Sequence, residues 1–133
     1  MTNAIRASSV VRLTVNANSR QITEKTRFTT PSNACWSALS RDSKRLYVAN
    51  LLSLIVFDVS GGGLTQLQSL DVKDVPNPVL RDLILGPNGK FLYAIEQHRR
   101  RILTYAVSKD GRVTLQSELA LRIPGYTLDL AIG

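Results

Sequence analysis

Apolar residues along the chain fall in short runs separated by polar stretches rich in Gly, Asn, Asp, Ser and Pro. Residues 81–85, 91–95, 101–107 and 112–120 are enriched in Leu, Ile, Val, Tyr, Phe and Thr, side chains that fit a pleated, half-buried surface. Between them lie Gly86-Pro87-Asn88-Gly89, Glu96 to Arg100, and Lys109-Asp110-Gly111. Asn-Gly and Asp-Gly between apolar runs are hairpin signals, because those residues tolerate the positive φ that tight turns demand. No long segment carries the 3.6-residue apolar period of a helix, and Pro31, Pro76, Pro78, Pro87 and Pro124 all fall between runs. The pattern predicts an all-β chain with almost no helix.

The pattern also repeats. Residues 36–50 align with residues 82–96 at a constant offset of 46: Leu39 meets Leu85, Asp42 meets Asn88, Lys44 meets Lys90, and Leu46-Tyr47 meets Leu92-Tyr93. After small insertions Phe57-Asp58-Val59 meets Tyr105-Ala106-Val107, and Gly63-Leu64-Thr65 meets Arg112-Val113-Thr114. Val11 to Val15, followed by Asn18-Ser19 and Gln21 to Thr23, reads as the second half of such a unit. Asp129 to Gly133 matches Asp82 to Gly86 at an offset of 47.

Four antiparallel strands recurring every ~40 to 50 residues are the mark of a β-propeller blade. The reading is one partial propeller domain over residues 1–133: a half-blade at about 9–30, whole blades at 34–72 and 80–121, and the start of a further blade at 125–133. Closed propellers need at least about four blades, so the expectation is a piece of a longer chain or a homo-oligomer whose copies complete a ring. Tyr47 and Tyr93, equivalent in the repeat, should share one environment and comparable burial.

Composition narrows the classes. The 133 residues allow one domain, and 44% hydrophobic with 20% charged residues is a globular balance. No stretch approaches the roughly 18 apolar residues of a spanning helix, so no membrane is expected. The N-terminus has no long apolar h-region, with Arg6 and Arg12 where one would lie. A single cysteine, Cys35, cannot close an intramolecular disulfide, which together tilts the expectation toward the cytoplasm. Net charge is +7, and twelve of the seventeen cations are Arg. They are spread out except for Arg99-Arg100-Arg101, the distribution of a solvated surface. Nucleic acid is disfavoured, because the aromatics sit inside strands rather than among exposed cations.

The segment Ala34-Cys35-Trp36 through Leu46-Tyr47-Val48-Ala49-Asn50, with Gly62-Gly63-Leu64-Thr65, looks like a blade of the seven-bladed lactonase family, which includes 6-phosphogluconolactonases and carboxymuconate-lactonising enzymes. Leu80-Arg81-Asp82 through Gly86-Pro87-Asn88-Gly89-Lys90-Phe91-Leu92-Tyr93 is the better match, and residues 121–133 resemble the last residues of members of that family. The resemblance implies a catalytic Arg-His pair opening an inner strand and a Glu after the next strand. Arg81 falls on the Arg, Asp82 on the His and Gln97 on the Glu. Gln cannot ionise and so cannot act as general acid or base. The adjacent Glu96 is a substitute only if its side chain is aimed alike, and neighbouring strand residues point to opposite faces. The expected function is a lactonase-like propeller segment that binds or scaffolds. The alternative is part of a lactonase or cycloisomerase acting on a sugar-acid or muconate lactone.

Other chemistry is thin. His98, the one histidine, opens His98-Arg99-Arg100-Arg101 between two strands of the 80–121 blade, where Arg forks suit a carboxylate or phosphate on a small molecule or a protein partner. The plainer reading, which is preferred, is a charged hairpin tip. No cofactor is expected, and no metal site, since one Cys and one His make no ligand set. Cys35 is expected to be a buried structural thiol.

Overall fold

The computed structural model describes residues 8–74, 76–122 and 130–131. Ten strands follow one another: β1 (Ser8–Val15), β2 (Ile22–Thr30), β3 (Ala34–Leu39), β4 (Arg45–Asn50), β5 (Ser53–Asp58), β6 (Thr65–Asp71), β7 (Leu80–Leu85), β8 (Phe91–Glu96), β9 (Arg101–Val107) and β10 (Val113–Ala120). They form a hairpin, β1-β2, and two four-stranded meanders, β3-β4-β5-β6 and β7-β8-β9-β10, all antiparallel. These are β-propeller blades, and no helix occurs among the described residues. The stretch expected to open a further blade, 125–133, lies outside the described residues except for Leu130 and Ala131.

The repeat is structural down to its irregularities. Each outer pair of strands carries one bulge: Leu67 is skipped between β5 and β6, Gln116 between β9 and β10, and Lys25 between β1 and β2. Counting outward from the bulge makes Leu13, Phe57 and Tyr105 equivalent, then Val10, Leu54 and Ile102, and then Phe28, Leu70 and Leu119. Turns repeat as well. The Asp42 side chain accepts from the Lys44 amide at 3.1 Å, and Asn88 accepts from the Lys90 amide at 2.9 Å. These short polar side chains mimic a turn of backbone. The residue between, Ser43 in one blade and Gly89 in the other, has φ of 56° and 69°.

Sheet alternation then divides each blade into two apolar faces. The backward face of the 34–72 blade, Val48, Ile55 and Phe57, packs on Val10 and Phe28 of the β1-β2 hairpin. Phe28 meets Phe57 edge to face, with centroids 4.9 Å apart. The forward face, Tyr47, Ala49, Leu54 and Val56, packs on Leu80, Leu83, Leu92, Leu103, Tyr105 and Val113 of the 80–121 blade. Polar clasps cross the same seam. The Gln68 amide donates to Val113 O and accepts from Val113 N, both at 2.9 Å. Arg45 Nε donates to Asp110 O at 2.9 Å while its guanidinium pairs with Asp58 at 3.2 Å. Arg45 lies flat against Gly111, whose φ of 86° and lack of Cβ admit it.

The outward faces are covered only in part, with Ile95 fully buried near the end of β8. On the hairpin, Leu13, Val15 and Ile22 are exposed, and on the 80–121 blade Phe91 and Leu119 are exposed while Tyr93 and Ile102 are half-buried. The expectation that Tyr47 and Tyr93 share one burial therefore needs correction: Tyr47 is 1% exposed and Tyr93 is only half-buried. The register is right, since Tyr47 pairs with Val56 and Tyr93 with Thr104. What differs is that a blade covers the first ring and no described residue covers the second to the same degree.

Candidate functional site at the inner strands

β3 and β7, the first strands of the two blades, lie side by side. Each begins with a bulge, at Cys35 in β3 and at Arg81-Asp82 in β7. A bulge re-aims side chains that regular pairing would send to one face. Arg81 thereby reaches across to Trp36, its guanidinium carbon 5.1 Å from the ring centroid, a cation–π arrangement. Its Nε donates to Gln97 Oε1 at 2.8 Å, and the Gln97 backbone N–H donates to Val79 O at 2.9 Å. The three side chains form one platform at the end of the inner strands. Asp82, beside it, has one carboxylate oxygen accepting from its own Leu83 amide at 2.8 Å and the other from the Leu130 amide at 2.6 Å.

Glu96 goes elsewhere. Fully buried, it accepts the His98 amide at 2.9 Å on one oxygen and the Arg99 amide at 3.0 Å on the other, with Arg101 Nε 3.4 Å away. The carboxylate closes the β8-β9 turn and also accepts from the Val79 amide at 3.4 Å. Gln97, the first residue of that turn, is the one that meets Arg81.

The basic run divides in the same way. Arg101 is buried, with a bidentate grip on Asp74 at 2.7 and 2.8 Å and a third bond to Glu118 at 2.6 Å. Arg99 also pairs with Asp74, at 3.1 Å. His98 and Arg100 stand exposed, Arg100 with a left-handed φ of 52°. The four residues His98 to Arg101 thus make no common patch: two face solvent and two hold the loop that carries Asp74.

Electrostatics follow these contacts. The hydrogen bond from Arg101 holds the Asp74 carboxyl below the usual carboxylate range. Hydrogen bonds from Ser108, then Arg112, bring Asp110 down to about 2. Cys35 is exposed, which corrects the expectation of a buried thiol: it stands on the β3 bulge, Sγ 3.5 Å from Asn33 O. Among the described residues no group of three or more His, Cys, Asp or Glu side chains could hold a metal ion. Asp74, Gln68 and Trp36 escaped sequence reasoning. Asp74 and Gln68 act across a seam between residues far apart in the chain, and no local pattern marks them.

No protein-family model and no curated protein matches the chain. Solved structures do. A provisionally named 6-phosphogluconolactonase from Bacteroides uniformis superposes with a TM-score of 0.77 at 20% identity, over 88% of this chain and 36% of its own. A protein from Lactobacillus plantarum gives 0.72 at 25% identity, over 85% of this chain and 36% of its own. The fold is that of the lactonase-like β-propellers. A periplasmic gluconolactonase from Pseudomonas aeruginosa matches at a TM-score of 0.58 and 14% identity, over 91% of this chain and 52% of its own. The chain thus spans about a third to a half of the lactonase-like propellers it resembles.

Proposed function

We propose that this lactonase-like segment binds a carboxylate- or phosphate-bearing sugar acid at the Arg81 platform and does not turn it over. The observation that carries this reading is the Arg81-Gln97 contact at 2.8 Å, with Trp36 beneath. Arg81 is positioned from two sides through Nε and its face, and among the described residues its terminal nitrogens have no hydrogen-bond partner, so they are the part of the fork that suits an anion. The partner at the place of a general base is an amide, which can orient a ligand but cannot take a proton. Asp82 is occupied by two backbone amides, and Glu96 is locked in the adjoining turn.

A second reading has one observation in its favour: the named neighbours are lactonases, and the chain spans only a third to a half of them. In that case the Arg81 platform holds substrate while groups outside this chain supply the base. Incubation of the purified protein with 6-phosphogluconolactone and with gluconolactone separates the two. The expected result is hydrolysis at the spontaneous rate, with 6-phosphogluconate binding weakened about tenfold by Arg81→Ala. Turnover that Arg81→Ala abolishes would overturn the non-catalytic reading.

A further inference from the structure

Two seams join successive units of this chain, each setting the forward face of one unit on the backward face of the next. In the first, Phe28 of the hairpin meets Phe57 edge to face, with centroids 4.9 Å apart. In the second, Leu70 and Tyr105 hold those places, with a groove of about 480 Å³ beside them. One backward face and one forward face are left over. The same count assigns Leu13 of the hairpin and Leu119 of the 80–121 blade to the next such contact, and these are 53% and 62% exposed.

The leftover faces match in extent. On the 80–121 blade the inner end of the forward face is already covered, with Ile95 fully buried, while its open part runs toward Leu119 on the outer strand β10. The hairpin β1-β2 is equivalent to an outer pair of strands alone, β5-β6 or β9-β10. It can therefore sit over β9-β10 without bringing inner strands to the end that is filled.

They also match in chemistry. The backward rows of the hairpin carry Leu13, Val15 and Ile22, all exposed, and Ile22 stands at the position that Val113 fills in the second seam, where Val113 is buried. The forward rows of β9 and β10 pair Ile102 with Leu119 and Thr104 with Ser117, and none of these is charged. Glu24 and Arg27, the charges on the hairpin's backward rows, pair with each other at 2.7 Å, so closing the faces leaves no charge stranded. The polar clasps of the internal seam have apolar or small equivalents here: Phe91 stands at the position of Arg45 and Ser117 at that of Gln68.

We propose that this chain associates with itself head to tail, the forward face of β9-β10 in one copy seated on the backward face of the β1-β2 hairpin in the next, with Leu119 against Leu13 as Phe28 is against Phe57 within the chain. The contact continues a seam the chain already makes twice. It is heterologous, so each copy contributes a different face.

Sedimentation equilibrium of the 133-residue chain from about 5 to 500 μM tests it, in about 0.3 M salt to screen the net charge of +7. The average mass should rise with concentration above that of one chain. Leu13→Lys and Leu119→Lys each place a cation in the seam and should weaken association at least about tenfold. Both positions are more than half exposed in a single copy, so both variants should keep the parent's urea midpoint. Leu13→Ser and Leu119→Ser replace any lysine variant that does not. The deciding step is to mix the two variants: the intact blade face of Leu13→Lys and the intact hairpin of Leu119→Lys rebuild one seam, so dimers should form and grow no further. The proposal is overturned if the parent stays a single copy throughout, if either variant alone associates within about twofold of the parent, or if the mixture stays monomeric.

Discussion

The forward faces of the two whole blades carry nearly the same residues and meet different fates. Tyr47, Leu54 and Leu70 have Tyr93, Ile102 and Leu119 as their equivalents, yet the first set lies in a core with the next blade while Leu119 is 62% exposed. Arg45, which reaches forward to Asp110, is replaced by Phe91, which is 37% exposed. A β-rich sequence thus makes each blade competent to pack forward, but burial is a property of the pair. What stabilises the molecule is the seam.

Matched substitutions on the two faces test this. Tyr47→Ala should cost about 3 to 5 kcal/mol, the range for a buried aromatic. Tyr93→Ala should cost about 1 to 2 kcal/mol, because part of its ring already contacts water. Equal losses in urea denaturation would break the comparison. A smaller effect is expected at the clasp. Gln68→Ala strips the partners from both backbone groups of Val113, at a cost of about 1 to 3 kcal/mol. The equivalent Ser117→Ala on the exposed outer strand should stay within about 0.5 kcal/mol. Parity between these two would show that the clasp is not part of the seam's strength.

Acid probes the same seam through Asp74, which ties the segment after β6 to Arg101 of the next blade. A carboxylate whose folded pKa is depressed contributes stability above its unfolded value, near 3.9, and loses it as pH falls through the folded value. Asp74 and Asp110 both lie on that side, Asp110 at about 2. Stability should therefore decline as pH drops from about 4 toward about 2. Asp74→Asn should flatten part of that decline, and a urea midpoint that rises in this window would contradict the assignment. The smallest change expected is at the turn. Ser43 has the left-handed φ that Gly89 supplies in the other blade, so Ser43→Gly should gain up to about 1 kcal/mol, while Gly89→Ser should lose a similar amount.

The architecture was largely legible from local chemistry. Asn88-Gly89 and Asp110-Gly111 announced their turns, and the 46-residue offset of Leu46-Tyr47 and Leu92-Tyr93 carried over into the same strand of each blade. The candidate site was legible only in part. Arg81 and Gln97 do meet, but Glu96 and Arg101 have become members of a buried ionic cluster, and the run His98 to Arg101 has no single role. Glu96 ends β8 and binds the amides of the following turn, whereas Gln97 lies in that turn, so a one-residue difference separates a ligand platform from a turn anchor.

The sequence alone determined the all-β class, the four-strand unit and the turn positions, because each rests on the local spacing of apolar runs and turn residues; the lactonase-like likeness came from the resemblance of whole segments. Tertiary structure alone decided which apolar faces are covered, that Cys35 stands exposed on a bulge, that Trp36 supports Arg81, and that Leu70 leaves a groove where Phe28 fills one. Those outcomes depend on pairs of residues brought together from separate blades. A side chain's exposure and charge partners are set by whichever surface arrives opposite it, and no periodicity within its own strand encodes that arrival.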